Sequence, residues 1–174
     1  MFSSISVNLF RFVMLTAVQV LLLDNIHLHG LFNPYIYMLF ILMLPLETPV
    51  WLVLVFGFFS GWVIDFFAHS GAVHASATVL TAFLRPFMLR LLKPAAGYQP
   101  EDRPSVSSLG FMWFFTYCSV LIFIHHLWLF IAESFSFTQF IFVIQKIAVS
   151  SVVSIAIILS LQYLFYRRRA RAIV

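Results

Sequence analysis

Six histidines are the first residues in this sequence that could do chemistry. Imidazole nitrogens hold metal ions when three or four ligands converge on one point. His27 and His29 fall in one connection, His69 and His74 flank another, and His125 and His126 are adjacent. Neighbouring positions on a helix point to different faces, so His125 and His126 would not share an ion. No established ligand set accompanies them. The expectation is histidines at the edges of apolar segments, with no metal and no cofactor. Nucleophilic and acid–base chemistry lack their patterns too. There is no GxSxG, no Gly-rich phosphate loop and no HExxH. Proteolysis within a membrane would need a serine–histidine pair in a glycine-rich setting, or two aspartates at depth. Asp24 and Asp65 are the only aspartates near apolar segments, and both fall at segment ends. The chain reads as a non-enzyme.

Charged groups inside apolar stretches carry more information, because each is costly in hydrocarbon without a partner. Lys146 stands about two turns into an apolar run. Asp65 and Glu133 lie at the same level, so Lys146 is expected to pair with one of them. A lysine that snorkels outward alone is the alternative. Arg11 and Arg85, the latter just before Pro86, read as arginines that snorkel to a membrane surface. Gly57, Gly61 and Asp65 recur every fourth residue, which places them on one helix face. Glycines at that spacing let a second helix backbone approach closely. Gly71 and the small-residue stretch from Ala72 to Ala77 follow. The whole describes a tightly packed helix hairpin.

The elements that must hold these residues follow from composition. Of 174 residues, 63% are hydrophobic and 9% charged, whereas soluble domains carry about 25% charged residues. Mean hydropathy is +1.03. So little polar surface cannot cover a soluble domain. The length suits one bundle and no second domain of any size. The net charge of +4 is concentrated beside apolar segments, which speaks for membrane topology and against nucleic acid. Cys118 is the single cysteine and lies in an apolar run, which excludes a disulfide framework and a cysteine metal cluster. The apolar run from Val13 to Leu23 leads into Asp24-Asn25-Ile26-His27, not a small-residue cleavage site. It is expected to be retained as a span.

A spanning helix needs about 20 mostly apolar residues. The candidate spans are 5–23, 34–46, 50–67, 73–92, 109–132 and 138–166, with a hydrophilic linker at 93–108 and a basic tail at 167–174. Lys93, Arg103 and the tail arginines mark one side. The connections near 24–33, 68–72 and 133–136 contain no Lys or Arg. Six spans with both termini cytoplasmic satisfy the positive-inside rule. Trp51 and Trp113 then fall near cytoplasmic ends, and Trp62 and Trp128 near outer ends, as an aromatic belt requires. The second span is short and bracketed by Pro34 and Pro45. A re-entrant segment there would leave five spans and move the N-terminus outside; six is the preferred reading.

Three stretches carry a family resemblance. They are Val18-Gln19-Val20-Leu21-Leu22-Leu23-Asp24, the Pro-led Phe32-Asn33-Pro34-Tyr35-Ile36-Tyr37, and above all Gly57-x-x-x-Gly61-x-x-x-Asp65-x-x-x-x-x-Gly71 leading into His74-Ala75-Ser76-Ala77-Thr78-Val79-Leu80. On these, and on length and span number over essentially the whole chain, the sequence resembles the rod shape-determining protein MreD family. The resemblance implies an all-α membrane bundle of six helices, similar to the substrate-binding component of ECF vitamin transporters. It implies a non-enzymatic scaffold in the bacterial inner membrane that binds MreC and maintains rod shape during lateral peptidoglycan synthesis. Through MreC it implies indirect association with the actin-like MreB, the polymerase RodA and the class B penicillin-binding transpeptidase. Gly57, Gly61, Asp65 and Gly71 carry over as helix-packing or partner-contact residues, and no catalytic residue does. The 22 phenylalanines and the linker with Pro94, Pro100 and Pro104 depart from the family pattern. Contact of the basic linker and tail with anionic lipid head groups or MreB is one account of these arginines, and topology alone is the preferred one. The second reading is the substrate-binding membrane component of an ECF-type small-molecule transporter. It would need a polar pocket open to the outside, drawn from Asp65, His69, His74, Glu133, Gln145 and Lys146.

Overall fold

A computed structural model describes residues 2–24, 33–134 and 140–164, with side chains from residue 6 onward. His27, His29, Phe32 and the tail arginines Arg167, Arg168, Arg169 and Arg171 lie outside the described residues. Among the described residues the structure is all-α, with no strand. Helix α1 (Phe2–Val18) continues into one π-helical turn, Gln19–Leu23. It is followed by the short α2 (Leu39–Leu42), α3 (Val50–Ala68), α4 (Val73–Leu91), the short α5 (Val106–Leu109), α6 (Phe111–Ser134) and α7 (Phe140–Leu164). Among the described residues, four stretches are long and apolar enough to cross a membrane: Ser6–Leu23, Val50–Ala68, Phe111–Ser134 and Phe140–Leu164. Helix α4 matches α3 in length at 19 residues, about 28 Å of rise. Its apolar character is diluted by His74, Thr78, Thr81 and Arg85, all of which are buried. Helices α3, α4, α6 and α7 pack each against the next, and α1 lies against α2 and α3.

The surface is the reverse of a soluble protein's. Phe58, Phe59, Trp62, Phe66 and Phe67 of α3 are exposed, as are Met112, Phe123, Trp128 and Ile131 of α6. Gln19, Asp65, His74, Arg85, His125, His126 and Ser154 are buried. Exposed apolar area on this scale is tolerated only against lipid or another protein.

At the centre runs the segment from Asn33 to Pro49, expected from its sequence as a second spanning helix over 34–46. Only Leu39–Leu42 of it is helical. Pro34 and Pro45 lack amide donors and bias their neighbours away from the helical region. The segment also lies inside the bundle, where its backbone groups find side-chain partners. Every residue from Tyr35 to Leu42 is 5% exposed or less, and these residues join all three apolar clusters of the interior. Non-helical backbone survives at membrane depth only when it is buried in protein in this way. The segment travels alongside α7. Asn33 N donates to Ser150 Oγ (3.2 Å) near one end, and Met43 Sδ accepts from Gln162 Nε2 (3.0 Å) near the other. Twelve helical residues separate Ser150 from Gln162, about 18 Å along the bundle axis.

Candidate functional site

The hairpin of α3 and α4 holds the spaced glycines and Asp65. A Cβ on Gly61 would lie 2.5 Å from Ala75 Cα and 2.6 Å from His74 O, so the two helices touch backbone to backbone. A Cβ on Gly57 would lie 2.9 Å from Ala82 Cβ and 3.2 Å from Thr78 O. Both glycines pack inside the hairpin. Gly71 sits in the connecting turn at φ +64° with open space around it, and His69 and Ala72 are left-handed there as well. The left-handed region costs a non-glycine residue about 1–2 kcal/mol.

Asp65 offsets that cost. Its Oδ1 accepts from His74 N (2.9 Å) and Ser70 Oγ (2.6 Å), and its Oδ2 accepts from Ala75 N (2.8 Å). Its Oδ1 also lies 3.1 Å from His74 Nδ1. Ala72, at the start of α4, supplies no side-chain cap, so Asp65 caps α4 from the preceding helix. A carboxylate beside a helix N-terminus also gains from the helix dipole. Every fourth residue of α3 thus does one job, which is to join α4.

Asp65 is therefore not the partner of Lys146. Its oxygens are turned into α4, and Lys146 Nζ lies 3.0 Å from Glu133 Oε2 instead, 4.5 Å from the centre of the Phe130 ring. The Glu133 side chain is about half exposed (51%), which places this pair at the rim. Exposed ion pairs contribute about 0.2–1 kcal/mol. Lys146→Gln is accordingly expected to lower stability by under about 1 kcal/mol, read as a small shift in thermal unfolding of the detergent-solubilised protein. A larger loss would show that the pair is buried in an assembly.

Of the two arginines expected to snorkel, Arg85 does not, whereas Arg11 is half-buried beside Arg103 of the linker. Arg85 is 2% exposed. It donates through Nη2 to Leu44 O and Pro45 O, and through Nε to Tyr117 Oη (3.0 Å). Tyr117 in turn donates to Leu42 O (3.0 Å). Arg11 donates to Asn8 Oδ1 (3.1 Å) and Met43 O (3.3 Å). The carbonyls at one end of the buried segment are thus held by cations and a phenol. Gln19 holds the other end. Its Oε1 accepts from Ile36 N (2.8 Å) and its Nε2 donates to Pro34 O (3.1 Å) and Asp24 Oδ1 (2.7 Å). Gln19 is the buried residue of the π turn. Such turns re-aim a side chain that a regular helix would present elsewhere.

His125 and His126, expected at an interface, are fully buried in α6. Helix α6 packs on both α4 and α7, so two adjacent faces of it look inward. Their proton positions follow from their partners. Thr78 donates its hydroxyl to His74 O (2.8 Å) and therefore accepts from Tyr37 (2.9 Å). Tyr37 Oη then accepts from His125 Nε2 (2.9 Å). His126 donates through Nδ1 to Ile122 O (2.8 Å), leaving Nε2 to face Ser154 Oγ at 3.4 Å. Ser154 Oγ also accepts from Tyr35 N (2.9 Å). The ladder from His125 ends on a backbone carbonyl, which cannot pass a proton on. It fixes Tyr37 and the buried segment, and does not conduct. His74 Nε2 and His125 Nδ1 are buried without a partner among the described residues. Among the described residues no three His, Cys, Asp or Glu side chains gather at one point for a metal ion.

The sequence held one signal for this interior. Ser150 and Ser154 are four apart in an apolar run, and Thr78 and Thr81 share a face of α4 with His74 and Arg85. Small hydroxyls at helical spacing within a span mark an inward face.

An all-helical bundle with an apolar exterior, a hydrogen-bonded polar interior and four helices able to cross a bilayer is a membrane protein. No family model, no curated protein and no solved structure matches the chain.

Proposed function

We propose that this chain is a non-enzymatic membrane scaffold of the MreD type, resident in the bacterial inner membrane, which binds the bitopic MreC and so supports lateral wall synthesis. One observation carries the reading. The residues on which the resemblance rests join helix to helix: Gly57 and Gly61 bring α3 and α4 into backbone contact, and Asp65 caps α4. A motif devoted to rigidity suits a protein whose product is a surface. The opposite face of α3, with Phe58, Phe59, Trp62 and Phe66, is exposed and apolar, as a surface for a partner's single helix needs to be. In this reading the buried segment serves as a sixth crossing in non-helical form. Both termini then lie in the cytoplasm, as the positive-inside rule requires.

The second reading, an ECF-type substrate-binding component, has less support. Of the residues it would draw on, Asp65 and His74 bind each other, Glu133 and Lys146 pair at the rim, and His69 and Gln145 are exposed. The test is a gentle-detergent pull-down of the tagged protein from its native membrane, with co-purifying proteins identified by mass spectrometry. An MreC-like bitopic protein with wall-synthesis enzymes is the expected result. Paired ATPases with a coupling membrane protein, and no wall enzymes, would overturn the proposal.

A further inference from the structure

A cavity of about 530 Å³ opens between α1, the buried segment and α7, beneath the linker. One end is polar, with Arg11, Arg103, Ser105, Ser107 and Gln162 in its wall. The rest is apolar, formed by Phe10, Met14, Leu15, Val18 and Leu39. The volume lies within the 300–1,000 Å³ of small-ligand sites. A spanning helix about 10 Å wide and 30 Å long would need roughly 2,400 Å³, so this is not a seat for a partner helix.

The two cations decide the ligand's charge. Neither Arg11 nor Arg103 has a carboxylate within ion-pair range among the described residues. The carboxylate next to Arg103 in sequence, Asp102, is occupied by Ser108 Oγ (3.1 Å) and Gln99 N (2.8 Å). Arg11 uses only Nη1 for Asn8 and Met43, which leaves its other nitrogens for a ligand. Two guanidinium groups sharing one cavity repel each other unless an anion sits between them. Guanidinium forks and serine hydroxyls match phosphate oxygens. The apolar length beyond them matches an acyl chain.

We infer that this groove holds an anionic phospholipid, with its phosphate between Arg11 and Arg103 and one acyl chain along α1. Basic pockets between spanning helices recognise acidic head groups in this way, and both arginines lie on the basic side of the sequence. The inference stands apart from the scaffold reading and needs only that the chain resides in a membrane.

The test uses the full-length protein in mild detergent, with native mass spectrometry of bound phosphatidylglycerol and phosphatidylcholine. Phosphatidylglycerol is expected to be retained over phosphatidylcholine. Arg103→Gln should weaken it about fivefold, and Arg11→Gln with Arg103→Gln about 30-fold, since each basic residue near a head group contributes about one factor of five. Arg103 is exposed, so its variant keeps the fold, and glutamine at position 11 keeps a donor for Met43 O. Equal retention of both lipids, or an unchanged double variant, would overturn the inference. Displacement of phosphatidylglycerol by millimolar inorganic phosphate alone would also overturn it, by showing a phosphate site without a chain.

Discussion

Arg85→Ala is expected to cost about 2–3 kcal/mol, a figure set by three opposing effects. Truncating a large, fully buried side chain costs about 2–5 kcal/mol. Leu44 O loses its donor, at about 1–3 kcal/mol, while Pro45 O keeps Thr48. Against these, removing a cation from membrane depth returns about 2.5–3.5 kcal/mol. The first two outweigh the third. Arg85→Met separates the effects, because it fills most of the space and still removes the charge. It should fall within about 1 kcal/mol of wild type. Thermal unfolding in detergent reads both. If Arg85→Ala unfolds at the wild-type temperature, the arginine does not clamp the buried segment.

Gly61→Ala is expected to be the most damaging single methyl in the molecule. Overpacking usually costs about 1–3 kcal/mol because side chains can yield. Here the obstacles are the main-chain atoms of His74 and Ala75, which cannot. The helices must separate, and Asp65, one turn on, is drawn from the α4 amides it caps. A loss of at least about 3 kcal/mol follows. Gly57→Ala should be milder, since its nearest obstacle is Ala82 Cβ. Combining Gly57→Ala with Ala82→Gly should recover most of that loss, whereas no side-chain change can rescue Gly61→Ala. The readout is folded yield by size-exclusion chromatography with thermal unfolding. Equal behaviour of the two alanine variants would refute this account of the hairpin.

These two residues also show where the sequence was legible. Gly57, Gly61 and Asp65 act through local spacing, and spacing is visible in one chain. The ends of the long helices fall within three residues of the span ends that apolar length suggests. The stretch from Pro34 to Leu46 was legible only as apolar. Its conformation depends on Gln19, Arg85, Tyr117, Ser150 and Ser154, which come from four different helices. No window of the sequence contains them together. Arg85 and His125 were misplaced for the same reason. A polar residue in an apolar span reads as belonging to an edge unless its distant partners are known.

The buried segment also imposes an order of assembly. Asn33 and Tyr35 find their serine partners 117 and 119 positions later in the chain. At about 5–20 residues per second of synthesis, that is a wait of roughly 6–24 s. In that interval their amides can be satisfied only by water or by head groups at the membrane surface. The segment therefore reaches its full set of hydrogen bonds only once α7 is in place, after its earlier partners Gln19, Arg85 and Tyr117. A ribosome stalled before Ser150 would hold a chain in which α7 is unfinished and the amides of Asn33 and Tyr35 still lack their serine partners.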